Sequence, residues 1–146
     1  MIRTVLAATV LLGGVTVLLA QSDPIAQRKE LMKSNVGHAK NVAAMVKGEA
    51  PFDAAKATAA FTTWGENAQK IPGLFASPPP PGADTRALPK IWENKADFEA
   101  KAAALKKAAD AGKGKTNSLD ELKAAAPAVT KACGDCHEGY RAAAKK

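Results

Sequence analysis

The chain holds two cysteines and two histidines, and aromatic residues make up 5% of its 146 positions. A structural zinc site would want more ligands than the one cluster that holds both cysteines, and the only other histidine is His38. The few aromatics are not interleaved with basic residues, which weighs against nucleic acid as the partner of a chain with formal net charge +7. No β-rich segment precedes the cysteines, so a thioredoxin-like redox pair lacks its usual setting. No cysteine follows the apolar start of the chain, and a bacterial lipid anchor is not suggested.

What is present is concentrated near the C-terminus. Both cysteines fall in Cys133-Gly134-Asp135-Cys136-His137, the C-x-x-C-H spacing of covalent haem attachment. On a helix, residues three and four apart share a face. Both thiols then point the same way, and each can form a thioether to a haem vinyl group. His137, four past Cys133, brings its imidazole to that face, where a neutral nitrogen can ligate the iron on its proximal side. A bare C-x-x-C can also be a redox pair, half a zinc site or an ordinary disulfide. The appended histidine favours one covalent haem c per chain.

The N-terminus reads as a targeting segment. Met1-Ile2-Arg3 is short and positive, Thr4 to Ala20 is apolar, and Gln21-Ser22-Asp23 returns to polar. This is the layout of a secretory signal peptide cut after Ala20, although Leu18 stands where a smaller residue is preferred. A retained anchor is the other reading; the run is slightly short for it and lacks a flanking basic stop. Residues 1–20 are therefore expected to be removed. Residues 21–146 would form one exported, periplasmic domain with no membrane attachment, large enough to bury a cofactor.

Four helices are expected in that domain. The first runs from Pro24 to Lys47, with Asp23 as N-cap, proline at the first helical position and Gly48 at the exit. Its apolar stripe is Ile25, Met32, Val36, Ala39, Ala43 and Val46. The second follows Asp53, buries Ala57, Phe61, Trp64, Ala68 and Ile71, and is expected to end at Pro72-Gly73. Pro78-Pro79-Pro80-Pro81-Gly82 then makes a stiff extended connector. The third spans about Pro89 to Ala111, with Ile91, Phe98, Ala102, Leu105 and Ala109 inward and Gly112 and Gly114 stopping it. The fourth opens on a capping box, Ser118 to Glu121. It carries Leu122, Ala126, Val129, Cys133, Cys136 and Tyr140 on its seam, with a local kink or break at Pro127. Two short connections and one longer one imply an antiparallel four-helix bundle.

The distal side of the iron is read from the first helix. Arg28 and Met32, four apart, share a face. Met32 can ligate through its thioether or pack over the ring as core filler. Met45 and His38 fall off that face. Arg28 is a candidate for a haem propionate, Lys29 a weaker one, and Arg141 stands near the ligand or a propionate, each against the alternative of a solvated basic residue.

Several segments together resemble one family. These are Asp23 to Lys29, Lys47 to Asp53, Leu88-Pro89-Lys90-Ile91-Trp92, and Lys131 to Arg141 around the haem motif. The chain resembles the class II c-type cytochromes, the cytochrome c-prime family, over essentially all of residues 21–146. The resemblance implies an all-α four-helix bundle with the haem near the C-terminal helix. It implies one of two behaviours. In one, the iron is five-coordinate and binds nitric oxide or carbon monoxide. In the other, a first-helix methionine is the sixth ligand and the protein carries electrons. Met32 matches the distal position in both. Arg28 and Asp84-Thr85 resemble the first type, where matching positions (Thr85 among them) contact the haem; Ala125-Ala126-Pro127 resembles the second. Homodimers through the outer faces of the first two helices are the family habit.

The expected function is periplasmic electron transfer with His137 and Met32 as axial ligands, steered to acidic redox partners by the basic surface. The alternative is capture of a small gas at a five-coordinate iron. Peroxide chemistry needs a distal base, and no histidine lies on the required face, so the chain is read as a non-enzyme.

Overall fold

Asp23 begins the fold as its position requires, its carboxylate accepting the Ile25 N–H at 2.9 Å. The computed structural model describes residues 23–144, and the expected signal peptide lies outside the described residues. Helix α1 is Pro24–Lys47 and ends on Gly48 at φ 76°, a left-handed cap that glycine adopts without strain. Helix α2 is Ala54–Leu74, capped by Asp53 through the Lys56 N–H at 2.9 Å. Helices α3, Lys90–Glu93, and α4, Lys95–Lys113, follow the crossover loop, and α5 is Leu119–Tyr140.

The four long helices run antiparallel. Met45 and Arg28 near the two ends of α1 meet Asp53 and Leu74 at the start and end of α2. Gly65 and Phe61 of α2 meet Ala109 and Gly112 of α4, in reverse order. Phe98 near the start of α4 packs edge-on to Tyr140 at the end of α5, with ring centroids 5.3 Å apart. The expected inward faces of α2 and α4 are buried throughout. Full burial of Phe61 or Leu122 contributes about 1.5–3 kcal/mol each. No helix among the described residues is long and apolar enough to cross a membrane.

Several element boundaries differ from expectation. The third helix is divided at Asn94, whose φ −129° and ψ 56° leave the helical region. Helix α2 continues through Pro72 to Leu74; the proline deprives only the Ala68 carbonyl of its donor, close to the helix end. Helix α5 runs unbroken past Pro127. Pro127 and Lys123 are both exposed, so water can serve the Lys123 carbonyl that lacks a partner. The polyproline connector is not extended to its end: Gly82 takes φ 78°, and Ala83 N–H donates to Pro80 O at 3.2 Å. Glu121 reaches back to the Asn117 N–H at 2.9 Å, one residue beyond the N-cap that a capping box would serve. Gly112 lies buried inside α4, leaving Gly114 as the cap.

The α1 stripe is the main correction. The side of α1 buried in the bundle is Arg28, Leu31, Asn35, Val42 and Met45. The residues expected to face the core instead line a cavity, and Val36 is 52% exposed. Two polar residues, Arg28 and Asn35, interrupt the buried side and hide it from an apolar count. Asn35 is satisfied there, its Oδ1 accepting from Asn67 Nδ2 at 2.8 Å and its carbonyl from Trp64 Nε1 at 3.2 Å.

Candidate cofactor site

The cavity has a volume of about 930 Å³ and lies between α1, α4 and α5, with loop residues Thr85, Arg86 and Ala87 at one end. Helix α5 delivers Cys133, Cys136 and His137 to its wall, all half-buried. Between them, Asp135 turns outward to Lys131 at 2.5 Å, and Gly134 faces open space. The helical spacing thus separates the reactive side chains from the solvated ones. Both thiols are free, and burial pushes their proton affinity up, so they are held as thiols. His137 is shifted the other way. Burial, then the Arg141 and Arg86 cations, lower its proton affinity and favour the neutral imidazole that a metal requires.

Helix α1 supplies the facing wall. Met32 is half-buried and lines the cavity with Ile25, Val36 and Ala39. Met45 does not: it is buried behind α1, where its Sδ accepts the Asp53 N–H at 3.3 Å. His38 is half-buried and outside the cavity.

The charged lining is of one sign. Every ionised side chain on the wall is a lysine or arginine, and among the described residues no carboxylate lines it. Arg28 is 6% exposed. Its Nε donates to Leu74 O at 2.6 Å and its Nη2 to Ser77 O at 3.2 Å, while the guanidinium stacks 4.4 Å from the Phe75 ring centroid. The remaining nitrogen, Nη1, is buried without a partner. Such a donor is costly unless something accepts from it. Lys29 is engaged by Asp84 at 2.6 Å. Thr85 and Arg141 line the cavity, and Thr85 Oγ1 accepts the Ala87 N–H at 3.2 Å. All eight residues proposed from the sequence therefore converge on one cavity. Arg86, Phe75 and Trp92 were not legible there, because none belongs to the motif and each is placed by the crossover loop or its contacts.

These residues fit a haem. The apolar walls of α1, α4 and α5 suit a flat hydrophobic ring, the paired thiols suit its vinyl groups, and the unpartnered Arg28 Nη1 among basic neighbours suits a carboxylate. Among the described residues no group of three His, Cys, Asp or Glu side chains could hold a metal by itself, which leaves the zinc reading without ligands.

Fold and site together define a four-helix bundle with an internal haem c crevice. The chain belongs to the cytochrome c′ family: the family described as Cytochrome C' matches residues 23–141. It is 37% identical to Cytochrome c-556 of Rhodopseudomonas palustris, over 97% of each chain. It is 41% identical to Cytochrome c' of the same organism, covering 97% of this chain and 95% of that one. The solved cytochrome c' of Rhodopseudomonas palustris superimposes with TM-score 0.78 at 41% identity, covering 86% of this chain and 100% of that one. The chain thus binds a single covalent haem c, as its family does.

Proposed function

We propose that the protein is an exported, periplasmic electron carrier in which Cys133 and Cys136 hold the haem by thioethers, and His137 and Met32 are its axial ligands. The observation that carries this reading is the meeting of Met32 on α1 and His137 on α5 at one cavity, with no other methionine or histidine among the described residues on its lining. Bound haem supplies an iron that cycles between ferric and ferrous states. The chain's part is to hold two axial side chains in place, so that little moves on electron transfer. Arg28 would offer its unpartnered Nη1 to a propionate, and Arg141 and Thr85, which line the same cavity, would help to hold the cofactor; Lys29, paired with Asp84, would be the weaker propionate partner. The basic rim favours acidic protein partners and raises their encounter rate at low salt. Among the described residues no carboxylate and no second histidine lines the cavity, which supports the reading of a carrier rather than an enzyme.

The apolar surroundings of Met32 support a second reading. A thioether that packs without ligating leaves a dry distal pocket, suited to small uncharged gases such as nitric oxide or carbon monoxide. Optical spectra of the ferric protein separate the two. A low-spin spectrum with a sulfur-to-iron band in the red, lost in Met32→Leu, supports ligation. A high-spin spectrum unchanged by Met32→Leu defeats it and leaves the gas-binding reading.

A further inference from the structure

Arg86 lies in no helix and no motif, yet it holds one residue, Ala142, from two sides. The Ala142 N–H donates to Arg86 O at 2.8 Å, and Arg86 Nε and Nη2 both donate to Ala142 O, at 2.8 and 2.5 Å. Beside this grip, Leu88 N–H donates to Tyr140 O at 3.1 Å, and Ala87 and Arg141 form the only isolated antiparallel bridge among the described residues. The crossover loop is thereby paired edge to edge with the chain that follows His137. The pairing starts where the ligand's helix ends, since Arg141 N–H closes the last turn on His137 O at 3.2 Å. A bridge this short has little stability of its own. A guanidinium that donates twice to one carbonyl adds charge-assisted bonds with a defined direction.

Arg86 also lines the cofactor cavity with His137 and Arg141. We infer that Arg86 is a positioning residue for His137: its grip on Ala142 fixes the end of α5 that carries the imidazole, and its guanidinium places a permanent positive charge on that side of the cofactor. This rests on His137 as the iron's ligand. A fixed cation on the cavity wall that carries His137 would disfavour the more positive oxidation state of a bound iron and so raise its reduction potential. The effect is moderated by the exposure of Arg86 to solvent.

The test uses the haem-loaded full chain with Arg86→Gln, which removes the charge and the fork, and Arg86→Lys, which keeps the charge alone. Two quantities are read: hydrogen exchange of the Leu88 amide and the reduction potential. In Arg86→Gln the amide exchanges about tenfold faster, as expected for a locally opened loop, and the potential falls. In Arg86→Lys the amide also exchanges faster while the potential stays near that of the wild type. Wild-type exchange in Arg86→Gln overturns the positioning role, and a wild-type potential overturns the charge role. Full protection in Arg86→Lys shows that the fork is not the grip, and also overturns the proposal. Neither readout depends on the sixth ligand, so loss of the Met32 reading leaves them intact. A wild-type spectrum without imidazole ligation would instead remove the His137 reading and leave the exchange result standing.

Discussion

Phe61 of α2 packs onto the backbone of Gly112 in α4 so closely that a Cβ at position 112 would lie 2.0 Å from Phe61 Cε1 and 2.5 Å from Cδ1. The contact is between the most extensively packed pair of helices, and Phe61 is 1% exposed, so its ring has nowhere to retreat. It also lies 5.1 Å, edge-on, from Trp64. A methyl group here must push the two helices apart or force Phe61 off its rotamer.

Gly112→Ala is therefore expected to destabilise the protein, although alanine is the better helix former. Overpacking of this kind costs about 1–3 kcal/mol, against roughly 1 kcal/mol gained from helix propensity. Denaturant unfolding of the haem-loaded protein measures the balance. A variant more stable than the wild type would mean that Phe61 yields easily. Gly112→Ala with Phe61→Leu should recover much of the loss, because the branched chain vacates the space of the ring.

How far the sequence reached can be judged from such contacts. The caps of α1 and α2, the buried faces of α2 and α4 and the C-x-x-C-H cluster are local patterns, set by residues a few positions apart, and they were legible. Gly112 read as a helix stop because the neighbour that requires it, Phe61, is on another helix. The α1 stripe was misassigned for a similar reason: a cofactor crevice and a protein core both ask for apolar side chains, and periodicity does not separate them. Arg28 and Asn35 are buried by partners remote in sequence, Leu74, Ser77 and Asn67. The Arg86–Ala142 pairing joins a loop to a tail and leaves no periodic trace.

Arg28 should resist conservative replacement. It donates to two main-chain carbonyls and lies over Phe75 with Trp92 beside it, the ring centroids 4.4 and 5.9 Å from its Cζ. Arg28→Leu leaves the Leu74 and Ser77 carbonyls without this donor, a loss on the order of 1–3 kcal/mol. Arg28→Lys keeps the charge but cannot fork and stack together, so it is expected to unfold nearly as easily as Arg28→Leu. Denaturation midpoints of the three haem-loaded proteins compare them directly. Equal midpoints for wild type and Arg28→Lys would show that charge alone suffices.

The two thiols carry separable parts of the attachment. Single Cys133→Ser and Cys136→Ser variants are each expected to retain haem through the remaining thioether, and the double variant to retain none covalently. Denaturing electrophoresis with a haem-peroxidase stain, on protein from a host competent in cytochrome maturation, reads this as coloured single-variant bands and a colourless double-variant band. A stained double-variant band would locate the attachment elsewhere.

The link between α4 and α5 at the cavity wall should fail in alkali. Tyr140 is buried at 3% exposure and donates its phenolic proton to Asp97 Oδ2 at 2.5 Å. That hydrogen bond first, then burial and the nearby Asp97 charge, push the phenol from 10.0 up to about 12. Because the folded value is raised, the bond's stabilisation is fully present below about pH 10 and is lost as pH rises through about 12. Tyr140→Phe keeps the ring against Phe98 and removes only the donor, so it should be less stable than the wild type at neutral pH. The difference should shrink as pH climbs through that window, because the wild type must either keep an unfavourable proton or place a phenolate against a carboxylate. Urea unfolding of both proteins at about pH 8 and about pH 11 tests it. Comparing the pair at each pH cancels the changes that both proteins share. A stability gap that stays constant between the two conditions would remove the Tyr140–Asp97 bond from the account of what joins these helices.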